Sequence, residues 1–524
     1  MKYISLAFIL FVCTISRTQH LGIDVQEYRI SIGVTDSSDK ITVEEWVEIR
    51  LTNDQDSIVL DLISAMGKGK GMTVSQVICE DEITLFTHKN NLLTIAVPKQ
   101  HSSPLIHLRL YYSGIPDDGL IIGENKYHKR TFFGDNWPNR ARHWIACNDH
   151  PSDKALFTFR VTAPEKYKVV AVGDFKGTEQ ISDRRMMWTY SSSTPLPTKV
   201  AVIGIAEMLW KEEATINGVK ITSAVYPEKS TESFSDLAVA PKILKFYEQL
   251  LGPYEFEKLM NVQSTTRYGG MENAGCIFYD ENALNGKGTA EELIAHEIAH
   301  QWFGNSLTET DWGHLWLSEG FATYMTNVYM EQMYGIKRFN KQMNLERSAV
   351  LSYSKRDNNP LVDTGQRDPN DLLNTNTYKK GSWVLHMMRC KLGDSIFFKG
   401  LKDYYNAFRL SNADSDDLKF SFEKSSGIDL GSFFEDWLYK KGHPILRTSL
   451  QKGSGINVLH IEQTQEEVFQ FDLTISFSLK NGIEKELTIT VSKRDEKIKL
   501  PDFGMKIMSY KLDPNTELLF EEIE

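Results

Sequence analysis

Cysteine is scarce and scattered in this chain. Of five, one (Cys13) lies in the apolar start; Cys79, Cys147, Cys276 and Cys390 stand far apart and form no CxxC pair. A disulfide framework is therefore not indicated, and no cysteine sits at metal-ligand spacing. Excess positive charge is also missing. Lysine and arginine number 59 against 70 aspartates and glutamates, a formal net charge of -11, and no basic stripe occurs. That argues against nucleic acid as a partner, and the run Lys68-Gly69-Lys70 reads as a solvated loop. There is no Asn-x-Ser/Thr acceptor. Beyond the amino-terminal stretch no apolar run is long enough to span a membrane.

What is present reads as ordinary globular protein, 41% hydrophobic and 25% charged, and long enough for several domains. Met1-Lys2 and the apolar run from Tyr3 to Val12 predict a secretory leader over residues 1–20 and export to a periplasmic or extracellular space. Val12 stands where a small residue would precede a lipidated cysteine. Simple cleavage between Cys13 and His20 is thus preferred to lipid anchoring, leaving no stable membrane span.

Three regions follow. Over residues 21–206 the pattern is β: Tyr28, Ile30, Ile32 and Val34 alternate, as do Ile106, Leu108, Leu110 and Tyr112, which predicts an antiparallel β domain. Over 207–442 it becomes mainly helical after a short mixed start, and the aromatic stripes Phe397–Phe408 and Phe433–Leu438 read as core. Over 443–524 strands return. Phe471–Leu479 and Ile483–Val491 flank Lys480-Asn481-Gly482, a hairpin signal in a segment the size of a small β-sandwich.

The chemistry concentrates between Thr289 and Tyr324. Thr289 and Glu292 have the spacing of a capping box, which predicts a helix start. On that helix His296 and His300 are four residues apart and face the same way, with Glu297 beside the first. Two imidazoles so placed are ready zinc ligands, and the adjacent carboxylate can reach a water at the metal. A catalytic zinc site needs a third ligand, and Glu309, Asp311, His314 and Glu319 are candidates. The branch of zinc peptidases with a glycine three, and a third histidine six, after the second histidine is excluded, because Phe303 and Ser306 hold those places. Glu319, at the start of a second helical pattern, is the best choice: a helix packed across the first would deliver its carboxylate. Upstream lies Tyr268-Gly269-Gly270-Met271-Glu272-Asn273-Ala274-Gly275, where paired glycines permit close backbone approach to an extended peptide. Downstream, Tyr378-Lys379-Lys380-Gly381 opens another helical pattern.

HEIAH, eighteen intervening residues, Glu319, the preceding YGGMENAG and the following YKKG together resemble the gluzincin aminopeptidases, the aminopeptidase N and leukotriene-hydrolase family. The likeness runs from about Val25 to the end. It implies a multidomain α+β protein: a β saddle, a thermolysin-like zinc peptidase domain and a carboxy-terminal β-sandwich. It implies one zinc per chain on His296, His300 and Glu319, Glu297 as general base, Tyr378 stabilising the oxyanion, and Glu272 binding the free amino group of a peptide. Tyr268, Gly269, Gly270, Met271 and Asn273 would line that peptide, and Asn148, in Trp144–Pro151, would border its amino-terminal side. The donor set also accepts cobalt or manganese. Two departures matter. Many relatives continue into a helical domain that roofs the site, so a more open site is expected here. In the leukotriene-hydrolase branch an acidic residue stands eight positions before the tyrosine; Asn370 holds that place, next to Asp371, which disfavours epoxide chemistry. The rivals are a zinc endopeptidase, disfavoured by Glu272, and a non-catalytic peptide-binding protein, disfavoured because no catalytic position is missing.

Overall fold

The computed structural model describes residues 22–65, 69–98, 103–365, 368–453, 457–480 and 482–524. The leader read in residues 1–20, Lys68 and Asn481 lie outside them. Among the described residues no helix is long and apolar enough to cross a membrane.

The architecture is multidomain α+β. In the first region alternating residues of Ile23–Gly33, Ile41–Leu51 and Leu105–Ile115 turn one face inward, burying Tyr28, Ile30, Ile32, Val47, Ile106 and Leu108. They belong to a nine-stranded sheet accompanied by sheets of four and three strands. One pairing departs from the antiparallel expectation. Ile23–Gly33 runs parallel to Lys154–Pro164, from Glu27 opposite Leu156 to Gly33 opposite Thr162. These strands are far apart in the chain, so no hairpin dictates their direction.

The second region opens with more sheet than its sequence pattern predicts. Five strands lie in the order Leu209–Ile216, Val219–Val225, Lys258–Ser264, Cys276–Asp280, Gly270–Met271. Helices α1 (Ser230–Leu237) and α2 (Ala240–Leu251) connect the second strand to the parallel third. The inner strands are buried on both faces, so they carry no alternation to read. The short edge strand Gly270–Met271 places the glycine motif at the rim of the sheet.

Six longer helices follow: α3 (Glu291–Ala299), α4 (Trp316–Tyr334), α5 (Ile336–Ser354), α6 (Gly381–Leu392), α7 (Asp394–Phe408) and α8 (Ser415–Ser426). Helix α4 is buried through most of its length and touches α3, α5 and α6, which makes it the hub of the region. Its Gly320 meets Gly381 of α6: a Cβ on Gly320 would lie 2.9 Å from the Gly381 Cα. With no side chain on either glycine the backbones come close, and Glu319 and Tyr378 are brought to the same place. The aromatic residues Phe397, Phe433, Phe434 and Trp437 are core, as their spacing predicts.

In the last region a four-stranded and a three-stranded sheet bury alternate residues, among them Leu459, Ile461, Leu473 and Ile475. Phe471–Leu479 pairs with Glu484–Val491 from Phe471 opposite Val491, the hairpin its turn predicts.

Candidate functional site

Helix α3 begins one residue later than its capping-box spacing predicts. Ala290 is the N-cap and no side chain caps the helix. Asp236 instead organises the approach, accepting the backbone N–H groups of Asn285, Gly286 and Gly288 at 2.7–2.9 Å. Glu292 is drawn away into an ion pair with Arg338, and Thr289 accepts from the Asn285 amide at 3.4 Å. Tertiary anchoring of the turn replaces the local cap.

The two histidines of α3 meet Glu319 from the first turn of α4. His296 Nε2 and His300 Nε2 are 3.1 Å apart, and Glu319 Oε2 lies 3.2 Å from the second and 3.5 Å from the first. Nothing else hydrogen-bonds that buried carboxylate oxygen. Three bonds of 2.0–2.2 Å at tetrahedral angles put donor atoms roughly 3.4 Å apart, so these residues fit a tetrahedral divalent metal. The tautomer fits too. The Phe303 carbonyl accepts from His300 Nδ1 at 3.1 Å, with Ser318 Oγ at 3.2 Å, which turns Nε2 toward the cluster. Gly304, at φ +121°, makes room for this: a Cβ there would sit 2.4 Å from Ser318 Oγ.

Charge around the cluster is one-sided. Burial would push the His300 imidazole down, but Glu319, Glu272 and Glu297 together lift it to about 10. Burial raises the Glu297 carboxyl well above the usual range, with Glu272 and Glu319 adding to it. Glu272 is raised chiefly by burial as well. Three acids crowded round two imidazoles make a site that a divalent cation would neutralise.

The glycine motif forms the opposite wall. Tyr268, Gly270, Met271 and Glu272 line a cavity of about 60 Å³ together with the three donors, Glu297 and Tyr378. Gly270 is packed directly on Glu297: a Cβ would be 2.3 Å from its Oε1 and 2.5 Å from its Cδ. Its missing side chain thus serves the carboxylate of α3 as well as any ligand. Glu272 Oε1 is buried without a hydrogen-bond partner. The backbone of Glu272 is held by two residues that sequence reasoning missed, Gln301 and Asn305, whose amides donate to its carbonyl at 2.8 and 2.5 Å. Gln301 also accepts from Gly275 N–H at 2.9 Å. Its place four residues after Glu297 was the available signal, since it sits on the face of α3 that meets the glycine motif. Tyr378 lies in a π-helical turn, Asn376–Lys380, and its ring stacks on His296 at 6.0 Å.

Three expected lining residues stand elsewhere. Gly269 is turned toward Leu293, and Asn273 lies buried behind the lining, its carbonyl closing a turn with Cys276 N–H. Asn148 is the clearest correction. It is fully buried in the β domain, where its amide donates to Asp153 Oδ2 at 2.6 Å and its N–H to the Tyr28 hydroxyl at 3.1 Å. The β domain reaches the cavity through Trp137 instead, edge-on to Tyr268 at 6.5 Å. Asn370 and Asp371 are exposed. The four described cysteines are free thiols.

Comparison with known proteins agrees with this arrangement. The family models "Peptidase M1 N-terminal domain" and "Peptidase family M1 domain" match residues 25–200 and 235–437, together well over half of the chain. Probable aminopeptidase 1 of Saccharolobus solfataricus is 28% identical over 396 residues, 71% of this chain and 49% of that protein. Probable aminopeptidase 1 of Sulfurisphaera tokodaii is 25% identical over 522 residues, covering 94% and 62%. A leucyl aminopeptidase of S. solfataricus is 27% identical, covering 77% and 52%. The chain thus spans about half to three fifths of the length of these relatives. Among solved structures, Legionella pneumophila aminopeptidase A in complex with aspartic acid superposes with a TM-score of 0.83 at 15% identity, over 96% of this chain and 60% of that one, a likeness of fold.

Proposed function

This chain belongs to peptidase family M1, the gluzincin aminopeptidase N family, and on that premise we propose that it is a zinc-dependent aminopeptidase, removing the first residue from peptides with a free amino terminus. The observation that carries the reading is Glu272: a buried carboxylate with a free oxygen at the closed end of the cavity that holds the donor cluster.

His296, His300 and Glu319 would hold the zinc. When bound, zinc supplies Lewis acidity, acidifying water to a pKa near 7 and polarising a carbonyl oxygen. Glu297 takes the proton of the attacking water and passes it to the departing amine. The Tyr378 hydroxyl donates to the carbonyl oxygen as negative charge develops there. Glu272 pairs with the substrate ammonium, and the free edge of Gly270–Met271 takes up the peptide backbone as an added strand. The apolar amino-terminal run supports export as the setting of this activity.

One peptide, offered with its amino terminus free and acetylated, tests the reading, with Glu297→Gln protein as the blank. The free form is expected to lose its first residue. The acetylated form should react at least tenfold more slowly, because a charge-assisted hydrogen bond to Glu272 is lost. Internal cleavage of both forms, or cleavage of neither across a varied panel, overturns it. Gly270→Ala supplies a second test. The added methyl displaces the Glu297 carboxylate, and misplacing a reacting group by about 1 Å costs on the order of a hundredfold. The expected result is a kcat lower by about that factor with unchanged thermal unfolding; full activity would show that Glu297 has another productive position.

A further inference from the structure

A second cavity, of about 490 Å³, adjoins the first. The two share His296, Leu373 and Tyr378 as lining, but Glu272 belongs only to the first. This sets a direction. With the ammonium at Glu272 and the reacting carbonyl between the donor cluster and Tyr378, the peptide beyond the scissile bond enters the second cavity. Its volume lies within the range of small-ligand sites, and its far wall carries two cations, Arg356 and Lys379.

Among the described residues neither cation has an ion-pair partner. Arg356 is exposed at the rim with its guanidinium over the Tyr353 ring, 5.8 Å from the centroid. Lys379 follows Tyr378 directly and is half-buried. The one acid lining this cavity, Glu346, lies in its floor, where Asn327 and Gln342 occupy its Oε1 at 2.8 and 3.3 Å. Two unpaired cations on the leaving side of a peptide cleft match a carboxylate.

We propose, resting on the aminopeptidase reading, that the second cavity binds a carboxylate of the substrate through Arg356 and Lys379. Two sources share that chemistry: the carboxyl terminus of a short peptide and an acidic side chain after the scissile bond. In either case a substrate whose carboxylate falls within the cavity is favoured over the same substrate without it.

The test compares tri-alanine, tri-alanine amide and Ala-Asp-Ala amide. Wild-type protein is expected to turn over the free acid about tenfold faster in kcat/KM than the amide, the scale of a hydrogen bond to a charged group at a partly exposed site. Arg356→Gln, and separately Lys379→Gln, should bring that ratio toward one. Loss of packing on Tyr353 alone would lower both substrates equally and leave the ratio, which overturns the assignment. Faster turnover of Ala-Asp-Ala amide than of tri-alanine amide identifies the side chain as a source; equal turnover of all three overturns the site. A binding arm separates this inference from its premise. Dissociation constants of tri-alanine and its amide for Glu297→Gln protein are expected to differ by the same factor. If wild-type protein cleaves none of the three, the aminopeptidase reading falls, and equal dissociation constants then overturn the carboxylate site by themselves.

Discussion

Glu297→Gln is expected to lower kcat by roughly 10²–10⁴, the range contributed by a positioned general acid–base, while KM changes little. The amide has nearly the shape of the carboxylate and keeps its place against Gly270 and beside His296, but it cannot accept the proton of the attacking water. The groups expected to hold the peptide, Glu272 and the Gly270–Met271 edge, are untouched. Stability should hold or rise, because the wild-type carboxylate is buried beside two others, Glu272 and Glu319, and the variant removes one charge from that crowd. Activity lost without loss of stability or of one zinc per chain is the signature to look for, by steady-state kinetics, thermal unfolding and metal analysis on the same preparation. Retention of more than a tenth of the wild-type kcat would place the general base elsewhere.

The same neighbourhood shows what a sequence carries and what it leaves out. His296, Glu297 and His300 were legible because helical spacing fixes their mutual geometry within one turn. Glu319 was legible as the next carboxylate at a helix start, although what brings it across is the bare contact of Gly320 with Gly381, sixty-one positions apart in the chain. Gly270 was read as room for a ligand, and its Cβ position turns out to face Glu297; a glycine announces a close approach without naming the partner. Asn148 was misplaced because its segment resembles a lining strip as a whole, while the side chain that reaches the cavity, Trp137, comes from eleven positions earlier. The sheet over 209–280 was underestimated because doubly buried strands lose the period-two signal. Gln301 and Asn305 act through backbone carbonyls, and partnerships of that kind leave little trace in residue type.

Lys199 and Glu309 were beyond sequence reasoning for the same reason, and they carry the last large effect. Lys199 comes from a short turn at the end of the β domain, Glu309 from the strand that follows the zinc-ligand helix; their charged atoms are 2.5 Å apart and their side chains only 1% and 0% exposed. Next to Lys199, the Val200 carbonyl accepts from Ala274 N–H at 3.2 Å, so the pair stands where the β domain clasps the glycine motif. Lys199→Met removes one partner and strands the other: Glu309 Oε2 already lacks a hydrogen bond. The expected cost is about 3–5 kcal/mol of unfolding free energy, measured by urea titration with tryptophan fluorescence. The pH dependence gives the mechanism away. An unpaired buried carboxyl has a folded pKa above its unfolded value of about 4.3. It therefore binds a proton on folding, and the stability it contributes in acid is lost as pH rises. The deficit of Lys199→Met against wild type should accordingly shrink toward pH 5 and be full above neutrality. Adding Glu309→Leu should restore most of the loss, because an apolar pair of similar volume avoids the desolvation that the ion pair only offsets. A double variant as unstable as the sum of the two singles would mean that the side chains do not act as a pair, and that the clasp depends on the backbone alone.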